Sequence, residues 1–139
     1  MLPSKPLPDD PVQRQLTELR NGLLKLHKSL LDSESAVYDR DVKRITSRGQ
    51  LLDLVLNDPW FAWLHELSEL VVLIDEAMDA AESPTAADAT RFIKQARGLL
   101  SPPNSTGTFR KHYLEALQRD PDVVIAHSEA IKMLAALGY

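Results

Sequence analysis

Four histidines, His27, His65, His112 and His127, fall one each on four segments of helical pattern. Helical bundles hold metals and haem between facing helices, so these are the first residues to test for chemistry. His127 lies with Val124, Ile131 and Leu134 on an apolar stripe, and His27 lies beside another, with Glu34 seven residues on. His65 and Glu69 are spaced i, i+4, and His112 and Glu115 i, i+3, so each pair can meet on one helix face. A di-iron carboxylate bundle needs two Glu-x-x-His motifs, and no Glu here is followed three residues later by His. No His-x-x-x-His pair is present either. The expectation is therefore a core histidine at 127, hydrogen-bonded to a neighbouring helix with Glu34 or Tyr38 as partner. A divalent-metal site drawn from His27, Glu34, His65, Glu69 and His127 is the alternative.

Glu66 and Glu69 form Glu-x-x-Glu, and Glu76 and Asp79 form Glu-x-x-Asp, on one helical segment. These four residues resemble the magnesium signature of all-α NTP pyrophosphohydrolases, whose carboxylates hold Mg²⁺ on a nucleotide's phosphates. In that family the two halves sit on separate helices, whereas six residues part them here on a single one. One helix can line carboxylates along a face but cannot clamp an ion from two sides. A solvated acidic face is the expectation, and Mg-dependent hydrolysis the alternative.

Trp60 and Trp63, at i, i+3, form a large apolar surface, and each indole N–H needs a partner. They are expected to plug one end of a bundle. Exposed, they would mark an interface or a pocket, since Trp is enriched at hot spots.

Composition removes other chemistries. No Cys is present, which excludes disulfides, a thiolate nucleophile, Cys-based zinc and covalent haem. None of the five Gly residues sits in a phosphate-cradling loop or a nucleophile elbow. Serines fall at helix starts and in the segment 101–105, where capping and turn roles suffice. A net charge of −4 argues against a protein that neutralises phosphates. Arg40, Lys43, Arg44 and Arg48 are interleaved with Asp39 and Asp41, and they complement a helix C-terminus rather than form a nucleic-acid patch. No apolar run reaches the roughly 18 residues of a membrane span, and no signal pattern opens the chain. A cytoplasmic protein is expected, without catalytic residues or cofactor.

The elements that must position these residues are all helical. Asp10-Pro11, Asp58-Pro59 and Asp120-Pro121 are helix starts, with Asp capping the first turn and Pro where its missing N–H costs nothing. Ser83-Pro84 is a fourth, with Thr85 and Asp88 as an alternative cap, and Ser47 with Gln50 has the spacing of a capping box. Val12, Leu16, Leu19, Leu23, Leu26 and Leu30 follow a 4-3-4-3-4 spacing, which predicts a helix from Pro11 to about Ile45 with a heptad seam. Ser33, Glu34 and Ser35 interrupt the seam, leaving its continuity there open; it resumes at Val37. A short helix follows over 50–56 after Gly49 as a stop. A helix from Pro59 to about Glu82 contains the run Leu70–Ile74, which implies burial on nearly all sides. Helices over 85–100, 109–118 and from Pro121 to about Leu137 complete the chain, with a breaker-rich loop over 101–107.

At 139 residues this is one domain over 10–139, able to bury a core without staples, preceded by a disordered Pro-rich arm over 1–9. The fold expected is an antiparallel up-and-down bundle of four long helices with two short ones. Residues 58–77, DPWFAWLHELSELVVLIDEA, resemble segments of small all-α bacterial proteins of unknown function, which implies a bacterial source and no activity. The function expected is protein–protein interaction, as adaptor or regulatory subunit. The surplus of apolar surface on residues 12–31, 51–56 and 70–74 points to a homodimer.

Overall fold

The structure, a computed structural model, describes residues 10–101 and 107–138. The expected arm over 1–9 and most of the expected loop over 101–107 lie outside the described residues. Six helices and one 3-10 turn are formed, and no strand occurs among the described residues. They are α1 (Pro11–Asp41), α2 (Arg48–Asn57), the 3-10 turn Pro59–Leu64, α3 (His65–Asp79), α4 (Ala86–Leu100), α5 (Gly107–Arg119) and α6 (Pro121–Ala136).

The caps work as their chemistry requires. The Asp10 carboxylate accepts from the amides of Val12 and Gln13, at 2.8 and 3.3 Å, with Pro11 in the first turn. Asp58 and Asp120 repeat the device on Trp60 and Asp122. At α4 the cap is Thr85, with a reciprocal box to Asp88, rather than Ser83. At α2, Ser47 Oγ accepts from the Gln50 amide, but the Gln50 side chain takes the Thr46 amide instead of that of Ser47.

Four elements differ from expectation in their bounds. α1 runs unbroken through Ser33–Ser35 and stops at Asp41, where the amides of Val42 and Lys43 both close on the Tyr38 carbonyl. Gly49 lies inside α2, not before it. The segment from Pro59 begins as a 3-10 turn, and α3 ends at Asp79, ahead of Glu82. α5 is extended at both ends, reaching Gly107, whose φ of +57° suits only a residue without Cβ, and Arg119.

α1 is the strut on which the others pack. Its leucines 16, 19, 23, 26 and 30 are fully buried. Contacts at both of its ends set α1 antiparallel to α3: Gln13 reaches the Met78 carbonyl, Arg20 pairs with Asp75, and Tyr38 packs on Phe61 at 5.7 Å. α6 is antiparallel to α1 as well, with Gln15 on the Leu137 carbonyl and Gly22 beside Met133. α4 packs against α1, α3 and α6, and α5 against α6, α1 and the 3-10 turn. Two apolar faces are rotated from the sequence reading. Leu70, Val71 and Ile74 are buried, but Val72 and Leu73 are 51% and 45% exposed, so α3 is amphipathic. On α6 the buried row is Val123, Ala130, Leu134 and Leu137, while Val124 and Ile131 face outward. No helix among the described residues is long and apolar enough to cross a membrane.

Candidate functional site

The polar chemistry of the interior collects on α5. Its inner face carries Phe109, Tyr113 and Ala116, all buried. Trp63 of the 3-10 turn packs on Phe109 at 5.3 Å and stacks on His112 at 5.6 Å. Phe109 stacks on Tyr113 at 5.4 Å, and Tyr113 meets the His127 ring of α6 at the same distance. The Tyr113 hydroxyl is hydrogen-bonded to His127 Nδ1. Burial raises the Tyr113 pKa, holding the phenol neutral, and burial lowers that of His127. Tyr113 is buried and Nδ1 is the partner of its hydroxyl among the described residues, so the arrangement that leaves no buried hydroxyl proton unpaired has Tyr113 donating, Nδ1 accepting and the ring proton on Nε2. Among the described residues the buried Trp63 Nε1–H meets no hydrogen-bond partner, and neither does the Ser35 hydroxyl.

The C-terminal turn of α5 supplies the second polar contact. Arg119 donates to Ser33 Oγ through Nε at 3.3 Å and Nη2 at 2.9 Å, and Nη2 also reaches Glu34 Oε1 at 3.1 Å. Ser33 and Glu34 are each only 4% exposed. These are two of the three residues that interrupt the apolar seam in the sequence. They do not break α1 because a guanidinium from another helix satisfies them.

The other expected site residues are dispersed. Burial, and after it the electrostatic influence of His65, lowers the His27 pKa. His65 Nε2 is 3.1 Å from the Val55 carbonyl, to which it donates, tying α3 to the last turn of α2. Glu34 belongs to Arg119, and His127 takes Tyr113 as partner, not Glu34 or Tyr38. Glu69 is exposed, as are Glu66, Glu76 and Asp79, so the acidic row of α3 faces solvent. His112 meets Glu115 at 3.6 Å, as the i, i+3 spacing predicts. No group of three or more His, Cys, Asp or Glu among the described residues is arranged to hold a metal ion. The two tryptophans part company: Trp63 is buried, whereas Trp60 is at the surface, edge-on to Tyr38 at 5.7 Å.

Two surface features remain. α2 buries none of its residues and packs mainly on the 3-10 turn. Leu52 and Leu56, i and i+4 on its outer face, are 59% and 60% exposed, with Trp60 on the adjoining turn. Between α1 and α6 lies a shallow cleft of about 280 Å³, with Gly22, Ala126, Ala130 and Met133 at its floor and Glu18, Asn21, Lys25 and Glu129 around it. Sequence reasoning missed Arg119 and Tyr113. A serine at the seam position after Leu30, with a glutamate beside it, was a signal that a cation had to come from elsewhere, but nothing local says from where. No family model, curated protein or solved structure matches the chain.

Proposed function

We propose that this chain acts by protein–protein interaction, and that the first occupant of its binding surface is a second copy of itself. The observation that carries the reading is α2, a helix with no buried side chain that turns Leu52 and Leu56 to solvent beside Trp60. Apolar side chains in that arrangement gain by being covered. In the same reading α1, α3, α4 and α6 form an up-and-down antiparallel bundle that carries α2 at one end. The opposed directions of α1 with α3 and α6 support that arrangement.

The energy sets the strength. Covering the exposed three-fifths of a leucine is worth about 1–2 kcal/mol, so four leucines across a two-fold axis give roughly 4–8 kcal/mol. Association costs on the order of 4–15 kcal/mol, so Trp60 and the surrounding surface must contribute and the dimer is weak. Sedimentation equilibrium from about 10 to about 500 micromolar tests it. The wild-type mass should rise above 15.6 kDa at the upper end, and a Leu52→Asp, Leu56→Asp variant should stay at that value. A wild-type chain that remains at 15.6 kDa throughout refutes the reading.

A further inference from the structure

α5 is held to the rest of the molecule at three places along its length. His112 and Phe109 lie against Trp63, Tyr113 bonds His127, and Arg119 bonds Ser33 and Glu34. The middle contact has a property the others lack. Tyr113 is 1% exposed, and His127 Nδ1 is the hydrogen-bond partner of its hydroxyl. That hydroxyl proton has one place to go while His127 is neutral. A proton arriving on the imidazole from solvent occupies Nδ1, which then becomes a donor. Two donors cannot share the bond. Either they separate, or the phenol turns to accept and its own proton points into apolar core.

We propose that α5 is a proton-controlled segment: acidification reverses the donor direction at the Tyr113–His127 contact, strands the Tyr113 hydroxyl proton, and loosens the middle of α5 from α6. His127 is half-buried, so the ring is open to a proton while the phenol is not. Among the described residues, the charged groups on the elements around α6 have other partners or stand at the α1/α6 cleft. α6 is packed by α1, α4 and α5. From α1, Glu34 is committed to Arg119, His27 interacts with His65, and Glu18 and Lys25 stand at the α1/α6 cleft. From α5, Glu115 lies by His112, and α4 brings Arg97. Burial alone lowers the basicity of His127.

The flanking contacts respond differently to acid. His112 stacks on the Trp63 ring and meets the Glu115 carboxylate, which only accepts, so no two donors face each other there. The Arg119 guanidinium keeps its charge throughout the range. Release is therefore centred on the turn around Tyr113, not on the whole bundle.

Hydrogen exchange read by mass spectrometry, corrected for intrinsic rates, tests this at about pH 7 and about pH 5. Protection of residues 107–119 should fall at least about fivefold more than that of α1 in the wild-type protein. In His127→Asn, whose side-chain oxygen can accept from Tyr113 at every pH, that extra loss should vanish. Equal loss in α1 and α5, no loss in α5, or the same loss in His127→Asn overturns the proposal. Should the variant fail to fold, the ¹⁵N shifts of the wild-type His127 ring decide instead. A ring proton on Nδ1 at about pH 7 overturns the proposal, and one on Nε2 that gives way to the doubly protonated ring on acidification supports it.

Discussion

Replacing Arg119 by Met removes the one cation among the described residues that reaches Ser33 and Glu34, the buried polar pair on α1, while keeping most of the side chain's apolar bulk. Three hydrogen bonds go with it: two to Ser33 Oγ and one to Glu34 Oε1. Breaking a fully buried ion pair from one side costs about 3–5 kcal/mol, because the remaining charge has lost its compensation. Glu34 meets that condition at 4% exposure. The Arg119 side chain, however, is 31% exposed, so water reaches its outer face and screens part of the interaction. The expected loss is therefore about 2–3 kcal/mol, which in a domain of this size lowers a urea midpoint by roughly 1–2 M at unchanged slope. The double variant Arg119→Met, Glu34→Met leaves no charge unpaired and adds apolar volume. It should recover most of the loss, since removing both partners of a buried pair is often close to neutral. Equilibrium urea unfolding followed by tryptophan fluorescence reads both. A single variant that loses under about 1 kcal/mol, or a double variant no better than the single, refutes the view that Arg119 is what keeps Ser33 and Glu34 inside.

Three further outcomes are expected. The folded state lowers the pKa of both His27 and His127 below the ordinary 6.5, so below that value the unfolded chain binds more protons. Stability is fully present above about pH 6.5 and falls as the pH drops, by at most about 1.4 kcal/mol per unit per histidine and less for rings this accessible; urea midpoints that rise on acidification would contradict it. Gly22→Ala places a methyl group 2.5 Å from Met133 Cε, the far end of a flexible side chain bordering the α1/α6 cleft. Met133 can swing aside, and the gain of about 0.5–1 kcal/mol from removing a mid-helix glycine offsets the repacking, so thermal unfolding should show little net change. Gly22→Leu, too large for that adjustment, should lose about 1–3 kcal/mol. Thr85→Ala removes one half of the capping box with Asp88 and should cost about 1 kcal/mol; faster amide exchange at Asp88 in the variant is the check.

What was legible in the sequence was what neighbours along the chain decide. Asp10, Asp58 and Asp120 cap because each carboxylate needs only amides two or three residues away. The α1 seam was readable because a 4-3 spacing of leucines leaves a single face to bury. Local pattern fails where two faces are equally apolar. On α6, Val123-Val124-Ile125 and Ala130-Ile131 fit either of two rows that share His127, and only packing against α1, α4 and α5 selects the row of Val123 and Ala130. The run Leu70–Ile74 reads as buried all round, yet α3 has neighbours on one side, which leaves Val72 and Leu73 in water. Ser33 and Glu34 look like a break from within α1, because the residue that makes them acceptable inside a core lies 85 positions from Glu34. His127 finds Tyr113 rather than a group on α1 for the same cause: which helix a buried polar atom meets is settled by how helices pack, and a hydrogen bond between them exists only once both backbones are in place.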